Sequence, residues 1–276
     1  MINASEQYID DSVVFGDNVS IDCEKVKIGK HSKIGSNVKI KCKELDVGDH
    51  LFMADGVEIG RGGCNGVNST VKIGKGVGIF ENTVINPSEP VEIGDYCGIG
   101  ADVMIWTHGA WLDITQGFPA DFGPVKIGDN VWLPARSIVL PNVTIGNNVV
   151  IGINSIINRS LPTGCFAAGS PCKVIKEDVY PREISNTELG KMVRKILSDW
   201  MTLIQYKLEG FDPPTISTSY YSKERKIKLT LDEGETIYDI RERTIEGGDG
   251  DIAEDLRDYL RRRGIKFFID KGFRSI

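Results

Sequence analysis

The chain has 276 residues, with 33 lysines and arginines against 39 aspartates and glutamates and a formal net charge of -6. Hydrophobic residues make up 41% and charged residues 26%, the balance of a soluble globular chain long enough for a sizeable core. The acidic excess argues against a nucleic-acid footprint, and no stretch approaches the roughly 18 apolar residues of a membrane helix. The first residues, MINASEQYIDDS, lack the basic and apolar regions of a signal peptide. A soluble, cytoplasmic protein is expected.

From the first residues onward, aliphatic side chains recur at every sixth position in short trains. Ile9, Phe15 and Ile21 form a frayed first train. Ile28, Ile34, Ile40 follow, then Val47, Met53, Ile59, then Ile73, Ile79, Ile85 and Ile93, Ile99, Ile105. The last train runs unbroken through Ile127, Leu133, Val139, Ile145, Ile151 and Ile157. A period of six fits neither an amphipathic helix nor a simple alternating strand. It fits a short flat strand and a turn, three of which close one coil and send every sixth side chain inward. Glycine and asparagine at the turns supply the positive-φ corners. Breaks in the period near 60–70, 86–90 and 106–124 mark loops pushed out of the coil. Residues from about 9 to 161 are therefore predicted to form a parallel β-helix of roughly seven coils.

The six cysteines (Cys23, Cys42, Cys64, Cys97, Cys165 and Cys172) form no metal-like pairing. Without an export signal they read as buried or half-buried free thiols. His31 and His50 sit at coil turns, where any polar residue would serve, and read as surface residues. His108, in WTHGAW, differs. It lies just beyond the inward Ile105, where the longest loop leaves a fixed scaffold edge, and this is where functional residues concentrate.

After about Asp178 the period stops. Apolar residues over 186–209 follow a helical stripe, ended by Pro213 and Pro214. ISTSYY and KIKLTL alternate like strands, a charged helix is expected near 252–263, and IKFFI reads as a short strand. Residues 1–178 and 179–276 thus read as two domains, the second a small α+β appendage. The basic run at 261–263 reads as a solvated helix end or, alternatively, a contact for the phosphate of a carrier-linked sugar.

The stretch from Gly123 to Glu177, GPVKIGDNVWLPARSIVLPNVTIGNNVVIGINSIINRSLPTGCFAAGSPCKVIKE, resembles the hexapeptide-repeat acyltransferases. The similarity is to their sugar O-acetyltransferase branch, which includes galactoside and maltose acetyltransferases, and it covers roughly residues 9–178. It implies an all-β, left-handed parallel β-helix, usually a homotrimer with active sites between subunits. It implies acetyl-CoA as acyl donor and His108 as the catalytic base that deprotonates a sugar hydroxyl in direct transfer. By position, Trp132, Ala135, Ile153, Asn158, Arg159, Lys173 and Lys176 would line the cofactor path. The cationic members suit a 3′-phosphate and a pyrophosphate. No metal and no membrane span are expected.

The chain departs from that pattern at Phe80, where relatives often carry an acceptor-binding asparagine. Asn82 or Asn86 is the candidate to compensate, and Trp111 in the aromatic loop is a further candidate for contact with a small-molecule or glycan acceptor. The group that orients His108 is open: Asp113 and Asp121 are near in sequence, and a backbone carbonyl is the simpler partner. Three rival functions are N-acetylation of a nucleotide-linked amino sugar, zinc-dependent hydration and a non-catalytic binding solenoid. The zinc reading requires three convergent histidines, whereas His31, His50 and His108 fall on separate coils. The solenoid reading needs neither His108 with its loop nor GSPCKVIKE.

Overall fold

The structure is a computed structural model that describes residues 1–271 apart from 65, 210–213, 233 and 249. The chain divides into two compact units, Met1–Arg182 and Glu183–Ile276.

The first unit is the expected parallel β-helix. Its short strands stack into three faces, and each face buries one column of aliphatic side chains. On the first face Ile9, Ile28, Val47, Ile73, Ile93, Ile127, Ile145 and Leu161 pair in register from turn to turn. The second face stacks Phe15, Ile34, Met53, Ile79, Ile99 and Leu133, with Ile151 paired to Ala167 above them. The third stacks Ile2, Ile21, Ile40, Ile59, Ile85, Ile105, Val139 and Ile157. Each column therefore spans eight levels, one more than the repeat suggested. The added members come from both ends: Ile2 on the long first strand Ile2–Ile9, which pairs along Ser20–Ile28, and Leu161 and Ala167 at the far end. Strand directions stay parallel because each turn returns the chain to the same face one level further on.

Two of the three corners repeat without variation. From the first face to the second, and from the second to the third, six residues separate the inward side chains at every level. Three residues past the inward one, the backbone enters the left-handed region: His31, His50 and Asn130 on one corner, Asn37, Asn82 and Asn154 on the other, with φ between 55 and 59. Asparagine and glycine predominate there because a left-handed backbone strains other side chains. His31 and His50 fit this role, their rings 5.1 Å apart, although His50 is buried rather than on the surface as expected.

All length variation falls at the corner between the third face and the first. Ile21 to Ile28 and Ile40 to Val47 take seven residues, Ile59 to Ile73 fourteen, Ile85 to Ile93 eight and Ile105 to Ile127 twenty-two. The three predicted loops, and three single-residue insertions before them (Ile2 to Ile9 is the first), thus leave the solenoid at one edge.

In the second unit, helix α1 (Asn186–Lys207) is capped by Ser185, whose side chain accepts from the Glu188 amide. It buries Val193, Leu197, Trp200 and Ile204 against a four-stranded antiparallel sheet and helix α2 (Asp251–Arg261). Trp200 Nε1 donates to Asp255 Oδ1 at 2.9 Å. Ser217–Tyr221 and Lys226–Leu231 are strands as read, and the sheet continues with Gly234–Asp239 and Thr244–Gly247, which the sequence reading had not identified. IKFFI is not a strand. Its Phe267 is spent on packing against Tyr238, with ring centroids 5.5 Å apart, and 265–269 joins no ladder among the described residues. The expected stop at Pro213 lies outside the described residues. The 261–263 arginines are engaged locally: Arg261 and Arg262 bind Asp258, and Arg263 stacks on Tyr259. No helix among the described residues is long and apolar enough to cross a membrane.

Candidate active site

His108 begins a two-residue strand, His108–Gly109, that pairs antiparallel with Asp121–Phe122 and closes the neck of the longest loop. This ladder holds the histidine against the solenoid while the loop tip extends away, with Trp111 95% exposed. The imidazole stacks on Phe122, with centroids 5.6 Å apart and planes 22° apart, and meets Trp106 edge-on. It is half-buried.

The partners of its inner nitrogen are Asn86 and Ser88, one turn earlier at the same corner. His108 Nδ1 lies 2.8 Å from Asn86 Oδ1 and 2.9 Å from Ser88 Oγ. The orientation of the Asn86 amide is set independently. Its Nδ2 donates to the carbonyls of Gly60 and Gly62, each at 2.9 Å, so Oδ1 is the atom that faces the imidazole. Ser88 Oγ adds a donor bond to the same Oδ1 at 3.2 Å. A carbonyl oxygen only accepts, so Nδ1 carries the proton and Nε2 keeps its lone pair. Asn86 is fully buried, and so is Thr107, whose hydroxyl donates to the Asn86 carbonyl at 2.7 Å. Gly63, with φ 85, closes the arrangement from the loop below: a Cβ there would stand 2.4 Å from Ser88 Oγ. Asp113 and Asp121 do not orient His108. Asp113 caps a short 3-10 turn through Thr115, whose hydroxyl and amide hold its carboxyl below the ordinary range. Asp121 contributes backbone pairing opposite Gly109.

The remaining candidates sort onto different edges. Trp111, Asn158 and Arg159 share the His108 corner, Trp111 on its protruding loop and the other two exposed past Ile157. Phe80, Asn82, Ala135 and Ile153 lie on the corner between the second and third faces, where Asn154 N donates to Ala135 O across successive turns. Phe80 packs beside Phe52, and Asn82 Nδ2 reaches Asp102 Oδ1 at 3.5 Å. Trp132 lies outward on the second face over Gly98, where a Cβ would meet its ring at 2.5 Å. Lys173 and Lys176 are exposed on Cys172–Lys176, which folds back antiparallel on Phe166–Gly169. One chain therefore gathers His108 with Asn86 and Ser88, and holds the Phe80–Ile153 set across the width of the third face. Asn86 and Ser88 went unrecognised as partners of His108. The clue available was the broken period at 86–90, immediately one level below His108.

Among the described residues no group of three or more metal-ligating side chains converges.

Residues 124–159 match the family model described as "Bacterial transferase hexapeptide (six repeats)". The chain is 34% identical over 111 residues to the galactoside O-acetyltransferase of Escherichia coli, covering 40% of this chain and 55% of that protein. It is 32% identical over 127 residues to the Escherichia coli protein named "Putative colanic acid biosynthesis acetyltransferase WcaF", covering 39% of this chain and 70% of that protein. A solved galactoside acetyltransferase in complex with coenzyme A is 29% identical, with a TM-score of 0.41, covering 49% of this chain and 64% of that one. The chain thus spans little more than half the length of the galactoside enzyme's sequence. With its stacked six-residue turns and its match across 70% of a relative at 32% identity, this chain belongs to the bacterial hexapeptide-repeat transferase family.

Proposed function

We propose that the chain is an acetyl-CoA-dependent O-acetyltransferase acting on a hydroxyl of a sugar or glycan precursor, with His108 as general base. The observation that carries this reading is the Asn86–His108 pair, in which an amide fixed by two carbonyls fixes the tautomer of an imidazole. The Nε2 left with its lone pair is the atom that receives the proton of an acceptor hydroxyl. His108 takes the hydroxyl proton as the oxygen attacks the thioester carbonyl, and returns it to the departing thiolate as the carbon–sulfur bond breaks. Asn86 stabilises the imidazolium formed in between, because its Oδ1 accepts the Nδ1 proton throughout. Phe122 and Trp106 offer aromatic surface beside the base, and Trp111 on the protruding loop offers a further ring, suited to the apolar face of a sugar.

Arg159, Lys173 and Lys176 supply cations for the phosphates of the acyl donor, and Ala135 and Ile153 offer a corner along which its extended arm can lie. Within one chain that corner is separated from His108 by the third face. We therefore read the site as completed between copies, in a homotrimer where His108 of one copy faces the Ala135–Ile153 corner of the next.

A thermal-stability titration with CoA, acetyl-CoA and dephospho-CoA tests the donor. Ligand at about 100 times its Kd should add roughly 2.7 kcal/mol, and less should be gained without the 3′-phosphate. No stabilisation at millimolar CoA in a folded oligomer would overturn the reading. With donor binding established, thiol release in the presence of sugar acceptors, lost in His108→Ala, tests the transfer. An alkali-labile product identifies an ester and an alkali-resistant one an amide.

A further inference from the structure

The single-residue insertions at the variable corner bring thiols into a row. Cys23 and Cys42 occupy equivalent places on successive turns, each two residues past an inward isoleucine, and are flanked by the in-register pairs Asp22↔Lys41 and Lys25↔Glu44. Their Sγ atoms are 3.6 Å apart, and both are free thiols. Neighbouring strands lie about 4.8 Å apart, so in-register residues fall inside the Cα separation of about 4.4–6.8 Å that a disulfide spans. A third thiol, Cys64, follows at the next level, its Sγ 3.6 Å from Asn86 Nδ2. The row is not sealed in the core. Cys23, Cys42 and Cys64 line a groove of about 350 Å³ together with Asn3, Lys41 and Lys43.

The two paired sulfurs are not equivalent. The bond between the two sulfurs, in which either atom can donate, holds the Cys23 thiol below its ordinary range, while the same bond and burial push Cys42 far up. Burial pushes Cys64 up to about 11. Cys23 is thus the member favoured as a thiolate, and the thiolate is the reactive form.

We propose that Cys23 and Cys42 form an oxidant-responsive dithiol that closes reversibly to a disulfide between adjacent turns of the solenoid. The oxidant is a hydroperoxide. Cys23 Sγ attacks one peroxide oxygen, the O–O bond breaks, and the departing hydroxide takes up the proton that Cys23 gave up, leaving as water. The resulting sulfenic acid is attacked at sulfur by Cys42, whose proton leaves with the expelled hydroxide as a second water. Two thiols lose two electrons and two protons, and one hydrogen peroxide becomes two waters. Rotation of two side chains closes the gap between sulfurs without moving the turns, and a reducing compartment reopens the bond.

The test uses the full reduced chain. It is exposed to a few equivalents of hydrogen peroxide, alkylated, digested without reductant and read by mass spectrometry. The expected product is one cross-linked peptide pair joining Cys23 to Cys42, lacking two hydrogens and restored by dithiothreitol. In Cys42→Ser the resolving sulfur is gone, and a sulfenic-acid probe should label Cys23 at least about tenfold faster than Cys165 in the same folded chain. The proposal is overturned if the linked pair forms only after denaturation. It is also overturned if peroxide leaves both thiols alkylatable in the native chain, or if all six cysteines react at similar rates.

Discussion

Two corners of the β-helix obey one rule at every level and the third obeys none. At the regular corners six residues carry the chain from one inward side chain to the next, with a left-handed residue three places on. At the variable corner the interval runs from four residues, Ile157 to Leu161, to twenty-two, and His108, Asn86, Ser88 and the thiol row all lie there. The contrast separates two duties: the repeating corners hold the columns in register, which frees the third to carry chemistry. Strand pairing on both sides of the variable corner keeps its start and end points fixed whatever length of chain bridges them.

The sharpest way to break this division is His108→Ala. Catalytic efficiency on the acceptor identified by thiol release should fall by about 10²–10⁴-fold, with the melting temperature unchanged because the ring is only half-buried. The opposite result is expected at a column residue. Ile99→Ala, fully buried on the second face, should cost about 2–5 kcal/mol in denaturant unfolding and leave kcat/KM near wild type at low temperature. Asn86→Leu should affect both. It strands two carbonyls and the imidazole Nδ1, so a loss of about 1–3 kcal/mol should accompany a fall in kcat/KM, with a changed pH–rate profile that a purely structural residue would not produce. Asn148→Val at a regular corner forces a branched side chain into φ 57 and should cost about 1–2 kcal/mol with no kinetic change. The smallest stability effect is expected from replacing residues 111–118 of the loop tip with a short glycine linker. Stability should move by only about 0.6 kcal/mol, since closure entropy varies slowly with loop length. If that deletion unfolded the protein, the variable corner would be structural after all.

The comparison also explains what could be read in advance. The six-residue period is a local property, repeated in every turn, so the trains from Ile28 to Ile157 and the loops between them were visible in the sequence. His108 stood out because a scaffold edge and a long loop meet at it. Asn86 was harder to see, because its role depends on stacking. It lies 22 residues from His108 and becomes adjacent only when one turn settles on another, and its own orientation comes from backbone carbonyls at Gly60 and Gly62. Asp113 and Asp121 were plausible by proximity in sequence, yet Asp113 caps its own 3-10 turn and Asp121 pairs by backbone with Gly109. In the second unit the alternation of IKFFI imitated a strand while its aromatic residue was used for packing. The true strand Gly234–Asp239 opens on a glycine and carries charged residues at both ends, which masked it.

On the function proposed above, the anchoring of Asn86 to Gly60 and Gly62 makes His108 a readout of the loop beneath it. A sequence change anywhere in residues 60–69 that shifts those two carbonyls releases the amide, and a flipped amide offers His108 donors where it now meets an acceptor. The imidazole would then present its proton outward and its lone pair inward, inert toward a hydroxyl with every catalytic side chain still in place. Activity can therefore be silenced, or restored, by backbone geometry one level away from the reacting atoms, a form of inheritance between neighbouring turns that only a stacked solenoid provides.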